Sequence, residues 1–482
     1  MLDLRPVGYV IGLTLTALGL AMVLPLVVDI GEGRDHWHVF AQSSILTCLI
    51  GGLVAGACRN GVGEGLTIRQ TFLLTTGVWV VLPLFGALPF MLGATGLDFT
   101  DAVFEAMSGL TTTGSTVVTG LDTLPKGILL WRGIMQWLGG VGIIVVAMVF
   151  LPELRVGGMQ LFRAEAFDTM GKILPRATEI ASRISVIYLG MTIACMMAYV
   201  LTGMTPFDAT VHALTTVSTG GMANYDASFD ALPPAAEYVA VVFMILSALP
   251  FVRFVQLIAG TAKPLLGDPQ VRGFFITILC IVGVLTAWQF LQRAQLTEET
   301  FREVLFNVVS IITGTGYSSD DYMLWGPFAV SIFFFTGLIG GCAGSTSCSI
   351  KIFRYQLLFA SIRVQLARIR APHGIFTPRY AGKTVGEDVL NSVMSFFVFF
   401  TVSLGLIAVL LGMTGLDFTT AISGAATALG NIGPGLGDTI GPAGNFSTLN
   451  DTAKWILTAA MLVGRLELLV VYALFTVSFW RI

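Results

Sequence analysis

The chain has 482 residues, of which 55% are hydrophobic and only 11% charged, and its formal net charge is −3. Soluble domains carry roughly 25% charged residues, so this composition excludes an ordinary soluble globule and points to an integral membrane protein. The 26 basic residues are scattered over short loops and offer no nucleic-acid face. Six cysteines (Cys48, Cys58, Cys195, Cys280, Cys342, Cys348) show no paired spacing, and four histidines are too few for a metal-site constellation.

A helix crossing the hydrocarbon core needs about 20 mostly apolar residues. Stretches of this kind fall near 6–28, 39–58, 70–93, 129–151, 183–203, 235–260, 272–292, 325–350, 390–412 and 452–480. The first, within Met1 to Val28, lacks a small-residue cleavage site and reads as a retained helix rather than a signal peptide. Ten spans put both termini on one side, and loop charge chooses the side, because Lys and Arg collect in cytoplasmic loops. Segment 152–183 carries Arg155, Arg163, Lys172, Arg176 and Arg183, and segment 351–389 carries Lys351, Arg354, Arg363, Arg368, Arg370, Arg379 and Lys383. By contrast, 203–235 has no Lys or Arg, and 294–322 sets five acidic residues against Arg302. The alternation predicts cytoplasmic N- and C-termini.

Each outward-facing loop from residue 94 onward holds a moderately apolar run too short to span, ending in small and polar residues. The four runs start at Asp101, Asp208, Glu303 and Thr420 and reach a glycine 13 positions later, at Gly114, Gly221, Gly316 and Gly433. Four copies of span, half-helix, glycine loop and span, preceded by two extra helices, describe the chain as an internal repeat. Non-helical backbone at membrane depth survives only where it lines a wet cavity or is buried in protein. Half-helices aiming their partially negative C-terminal ends at one axis favour a cation. The loops Thr112-Thr113-Gly114, Thr219-Gly220-Gly221, Gly314-Thr315-Gly316 and Asn431-Ile432-Gly433 can turn carbonyls inward, where they replace the hydration shell of a monovalent cation. Glycine permits the left-handed backbone that this turn requires. A single Thr-Gly pair would read as helix packing; four at matched positions read as a pore.

The string Leu130-Trp131-Arg132-Gly133-Ile134-Met135-Gln136-Trp137-Leu138-Gly139-Gly140-Val141-Gly142 resembles the signature that follows the first pore loop in the Trk/Ktr/HKT potassium-transporter superfamily. With its two leading helices, the whole chain resembles the TrkH branch of bacterial potassium-uptake membrane subunits. The resemblance implies a pseudo-tetrameric potassium pore folded from one chain, with one filter glycine per repeat at Gly114, Gly221, Gly316 and Gly433; Gly220 remains a competing register for the second loop. In the family a serine at the first filter position accompanies sodium permeation, so Gly114 favours potassium. The fourth loop departs from the Thr-Gly pattern as Asn431-Ile432-Gly433-Pro434, as it does in TrkH relatives.

The second span of each repeat holds a small-residue or proline interruption: Gly139-Gly140, Ser247-Ala248-Leu249-Pro250, Gly340-Gly341-Cys342-Ala343-Gly344-Ser345 and Gly464. Glycine costs about 1 kcal/mol relative to alanine within a helix. Close helix packing is one reading; the family's obstructing loop beneath the filter is the one adopted here for the third break. Arg465 stands deep in the last apolar stretch, where a charge costs at least ~2.5–3.5 kcal/mol. It either pairs with a carboxylate or with helix carbonyls to hold the bundle or, as the resemblance implies, faces the pore and opposes cation passage. Lys351 and Arg354 read as cytoplasmic anchors.

The expected architecture is therefore an all-α integral membrane protein with ten transmembrane helices and four re-entrant pore half-helices around a central cation pore. Its units are 1–60 (two extra helices), 61–160, 161–265, 266–385 (with the intramembrane gating loop) and 386–482. The expected function is potassium uptake across the bacterial cytoplasmic (inner) membrane; the alternative is a proton- or sodium-coupled symporter using the same filter. That alternative calls for membrane carboxylates, of which the spans hold few besides Glu467. An intramembrane hydrolase needs a Ser/His pair or two aspartates at depth, whereas His212 and His373 read as flanking spans; no catalytic residue is assigned and an enzyme is not expected. Potassium is the transported ion, and no organic cofactor is expected. Among partners besides the cation and membrane lipid, the resemblance implies a cytosolic nucleotide-binding regulatory ring (TrkA-like) docking on the basic loops, and a homodimer. No nucleic-acid partner is expected.

Overall fold

The computed structural model describes residues 3–61, 66–147, 158–159, 177–293 and 297–481. The basic residues Arg155, Arg163, Lys172 and Arg176, and the end of the expected span 129–151, lie outside the described residues. Helices α1 (Arg5–Ala21) and α2 (Val23–Gly31) run on as one apolar stretch, followed by α3 (Trp37–Cys58). α1 and α3 meet through small residues: a Cβ on Gly12 would press on the Ala55 and Gly51 backbone. This close approach is how helices associate where lipid offers no hydrophobic drive.

A fourfold pattern then begins. A long helix is followed by a short one, an extended loop and another helix. The long helices are α4 (Ile68–Gly86), α7 (Ala177–Leu201), α11 (Pro269–Arg293) and α15 (Glu387–Met413). The short ones are α5 (Phe99–Leu110), α8 (Pro206–Val217), α12 (Glu298–Thr313) and α16 (Phe418–Gly430). Each short helix opens on a side-chain cap. Asp98, Thr205, Thr297 and Asp417 accept the N–H of Asp101, Asp208, Thr300 and Thr420, at 2.8–3.1 Å. The caps satisfy N–H groups that have no partner within the helix. They also correct the expected starts, because Asp101, Asp208 and Thr420 are third-position residues, and the third helix begins well before Glu303.

Seven helices among the described residues are long and apolar enough to cross a membrane. They coincide with the expected spans to within a few residues, the stretch 129–151 appearing as α6 (Lys126–Val145). The other three stretches are broken. α9 (Pro234–Ser247) and α10 (Phe251–Ile258) meet at 91°. α13 (Pro327–Gly337) stops after 11 residues, and helix resumes only at α14 (Ile352–Arg370). α17 (Asp451–Arg465) ends before Glu467 and Leu468, which both take positive φ (60° and 53°), and α18 (Leu469–Leu474) follows.

The sequence reading erred on the first break. Helix α6 runs straight through Gly139-Gly140. These glycines serve close packing instead: a Cβ on Gly139 would strike the Leu110 carbonyl at the end of α5, and one on Gly140 would strike Tyr188 and Ser218. Gly464 has the same task against the Leu429 carbonyl, and the helix breaks only two residues later. The N-terminal pair is tied to the first repeat by Asp29. Its buried carboxylate accepts the Gly127 N–H at the start of α6 and faces His36 Nδ1, each at 2.7 Å.

Candidate functional site: a ring of four loops above an obstructing segment

All four short helices close identically. After the last turn comes a left-handed residue, Thr112, Thr219, Gly314 or Asn431, with φ of 52°, 50°, 73° and 49°. The next N–H reaches back five residues: Thr113 to Ser108, Gly220 to Thr215, Thr315 to Ser310 and Ile432 to Thr427, at 2.8–3.0 Å. This paired closure satisfies carbonyls that a helix end leaves open. The third residue again takes positive φ, with Gly114 at 87°, Gly221 at 78°, Gly316 at 84° and Gly433 at 117°. The backbone thus places Gly221, not Gly220, in register with the other three glycines. Threonine is β-branched and avoids left-handed backbone, so Thr112 and Thr219 each hold about 1–3 kcal/mol of strain, a feature that clusters at functional positions.

The loops also close on one another. A Cβ on Gly114 would press on the Gly220 carbonyl oxygen, one on Gly221 on that of Thr315, and one on Gly316 on that of Ile432. The circuit is completed by Gly433, whose Cβ would lie 3.1 Å from the Thr113 oxygen. Each last-position glycine therefore abuts the middle carbonyl of the next repeat, one to two, two to three, three to four and four to one. Ser115 Oγ donates to the Gly433 carbonyl (2.7 Å), and Asn431 Nδ2 donates to Thr113 Oγ1 (2.9 Å), stitching the first and fourth loops together.

All four glycines line one cavity of about 220 Å³, which also takes in Arg132, Tyr225 and Asp226. Burial and the neighbouring Asp208 carboxylate push the Tyr225 phenol up to about 12, so it remains a donor, which it uses toward Asp208. Behind the first loop, the fully buried Glu105 pairs with Arg132 (2.8 Å) and accepts from Thr116 and Val117. Arg132 carries on to the Ala223 carbonyl of the second loop at 2.7 Å. The sequence reading quoted Arg132 only as part of a signature and missed Glu105. An isolated carboxylate inside an apolar half-helix, with an arginine inside the following apolar helix, was the available signal.

On the opposite side of the ring the space falls to about 30 Å³, lined by Gly344, Ser345, Cys348, Asn431, Gly464 and Arg465 among others. That is room for about one water. The segment from Gly340 to Ser349 fills the rest. Its ends pair in parallel, Ile339 with Ile350 and Gly340 with Lys351. Its middle is fastened to the bend of the second repeat. Pro250 leaves carbonyls at the end of α9 without helical partners; the Thr346 N–H takes that of Ser247 (3.2 Å) and the Cys342 N–H that of Ala248 (2.9 Å). Gln270 Oε1 accepts from Ala343 N (2.8 Å), and Ser349 N donates to the Gly430 carbonyl at the fourth loop (3.0 Å). Gly340, Gly341, Cys342, Ala343, Gly344 and Ser345 are therefore one non-helical segment, and all six are buried.

Arg465 reaches this segment from α17. Its guanidinium contacts Cys348 Sγ (2.6 Å), the Thr346 carbonyl (3.4 Å) and the Gly139 carbonyl (3.3 Å). No carboxylate pairs with it among the described residues, because Glu467 is taken by Arg354. This rules out the carboxylate form of the bundle-holding alternative for Arg465, while its bonds to the Thr346 and Gly139 carbonyls are of the other form, pairing with main-chain carbonyls. It also corrects the reading of Lys351 and Arg354 as cytoplasmic anchors. Arg354 is fully buried on the Phe396 ring, 3.7 Å from its centroid, and Lys351 bonds the Ser347 carbonyl. Both side chains are held within the protein. His212 lies, as expected, outside the spans, in the short helix α8, where it is fully buried.

The family model for TrkH, a cation transport protein, matches residues 36–480. The chain belongs to the TrkH family. It is 44% identical to the Trk system potassium uptake protein TrkI of Halomonas elongata, over 99% of this chain and 97% of that one. It is 36% identical to the Trk system potassium uptake protein TrkH of Escherichia coli, over 99% of both. The crystal structure of the potassium transporter TrkH from Vibrio parahaemolyticus superposes with a TM-score of 0.92 at 33% identity, covering both chains completely. This TrkH-family chain thus shares its fold with a solved relative.

Proposed function

We propose that this chain carries potassium into the cell across the bacterial cytoplasmic membrane, through the ring formed by Thr112–Gly114, Thr219–Gly221, Gly314–Gly316 and Asn431–Gly433. The observation that carries the reading is the closed circuit of four loops, each with the same backbone signature and all four opening on one cavity. Inward main-chain carbonyls at such a ring replace potassium's hydration shell. The segment Gly340–Ser345 and Arg465 form the gate: a cation leaving the ring meets packed main chain and a guanidinium that makes no ion pair among the described residues. Such a charge is felt strongly at low dielectric.

In this reading the termini are cytoplasmic and the five units follow the repeat boundaries given above. α14, continuous with the obstructing segment, is the lever on which a cytosolic nucleotide-binding ring acts, in a homodimer of the chain. The function of the named relatives, potassium uptake, supports the choice of ion. The test is flux of rubidium and sodium into liposomes holding only this chain. Rubidium is expected to exceed sodium, and Gly114→Ser to reduce that excess, because the added side chain meets the Gly220 carbonyl at a positive φ. Equal rubidium and sodium flux in the unaltered protein would overturn the reading.

A further inference from the structure

The four middle positions of the ring are not equivalent. Thr113, Thr315 and Ile432 carry side chains, whereas Gly220 carries none. The vacant volume is filled from another repeat. Gln136, fully buried on α6, places its carboxamide where a side chain at 220 would lie: a Cβ on Gly220 would strike its terminal carbon, oxygen and nitrogen. The amide is used at both ends. Nε2 donates to the Gly220 carbonyl at 2.6 Å, and Oε1 accepts the Met222 N–H at 3.1 Å. Gly221 sits between these two bonds. Among the described residues, no side chain donates to the Thr113, Thr315 or Ile432 carbonyl, so the Gly220 oxygen differs from its three counterparts in the circuit.

We propose that Gln136 is a selectivity-setting positioning residue, whose carboxamide replaces the side chain absent at Gly220 and holds the second loop on either side of Gly221. The proposal rests on the filter reading above. A carbonyl oxygen that already accepts a strong hydrogen bond has less freedom to swing toward an ion. The position of the second loop is then fixed by a neighbouring helix rather than by its own side chain, as in the first and third loops. There the threonine hydroxyls bond within the loop, Thr113 to Thr111 and Thr315 to Thr313, each at 2.7 Å. Gln136→Leu keeps most of the volume and removes both bonds. Gln136→Glu keeps the acceptor for Met222 but turns an anionic oxygen toward the Gly220 carbonyl. Either change frees or repels the second carbonyl, and Gln136 itself lines neither the cavity nor the small space beside the obstructing segment.

The experiment is the rubidium-to-sodium flux ratio in liposomes, for Gln136→Leu, Gln136→Glu, Gln136→Ala and the double variant Gln136→Ala/Gly220→Ser, with Tm measured for each. Gly114→Ser is carried in parallel. Each Gln136 single variant is expected to lower the ratio by about tenfold, the loss that one buried hydrogen bond left unmade can cause. The double variant should recover part of that loss, since Gly220 lacks a positive φ and the trimmed Gln136 leaves room for a serine. A lowered Tm with an unchanged ratio would make Gln136 a purely structural residue and overturn the inference. If Gly114→Ser lowers the ratio while the Gln136 variants do not, the inference fails and the filter reading stands. If neither lowers it, the filter reading itself fails. Should Gln136→Leu not fold, the nearly isosteric Gln136→Glu and the double variant decide by the same outcomes.

Discussion

Arg465 lies 2.6 Å from the Cys348 sulfur, and that sulfur lies 3.8 Å from the Thr112 hydroxyl of the first loop. A guanidinium on the last broken helix is thus one side chain removed from the ring of glycines. Its remaining bonds go to the carbonyls of Thr346 and Gly139, so a single residue bridges the obstructing segment, the first repeat and the fourth.

Removing this cation should speed the ion. Two unit charges about 4 Å apart interact by about 4 kcal/mol at an effective dielectric of 20, and even a fraction of that is a tenfold effect. Arg465→Ala is expected to raise rubidium flux in liposomes at least several-fold while leaving the rubidium-to-sodium ratio unchanged, because the ring lies on the far side of the lesion. Wild-type flux from a normally folded variant would return Arg465 to a structural role.

Loosening the segment should act in the same direction. Gln270 Oε1 is the acceptor for the Ala343 N–H. Gln270→Leu leaves that buried N–H unpaired, at a cost of about 1–3 kcal/mol, and the cost falls on the closed arrangement. Higher flux with preserved selectivity is expected from tracer uptake. A decrease in flux would show that the segment must be held in place for ions to pass.

The Glu105–Arg132 pair is a stability element behind the first two loops. Breaking a buried ion pair from one side costs about 3–5 kcal/mol, because an uncompensated charge remains. Glu105→Ala should therefore lower Tm in detergent more than the paired replacement Glu105→Leu/Arg132→Met. Equal losses for both would mean that the hydrogen bonds to Thr116 and Ala223, rather than the charge, carry the stability.

Orientation is checked by cysteines placed at Asp226 and Arg363 in a background lacking the six native ones. An impermeant thiol reagent added to intact cells should label the site at 226 and spare the one at 363. The reverse pattern would invert the topology.

Much of this molecule could be read along the chain. The four glycines, their spacing and the proline-marked bend at Pro250 are local signals, and they correspond in the structure to four positive-φ positions and a 91° bend. What escaped was non-local. Gly139-Gly140 looks like a break because glycine weakens a helix, but the decisive fact is the Leu110 carbonyl pressed against it, in a different element. Lys351 and Arg354 looked like anchors because they open a basic segment. Arg354 is buried because Glu467, 113 residues later, supplies its counter-charge. The short-helix starts were misplaced for a milder reason, since caps such as Asp98 and Asp417 precede the apolar run that drew attention to each helix.

Because the ring closes within one polypeptide, its four quadrants are encoded separately. In a pore assembled from four identical chains, any substitution at the ring appears four times and its consequences multiply. Here a substitution alters one quadrant and leaves three intact. The mismatched middle residues, threonine, glycine, threonine and isoleucine, are a record of that freedom: each quadrant has found its own way to brace the same backbone turn. With the ring as the proposed filter, ion preference in such a protein can drift in small steps, one quarter of the ring at a time.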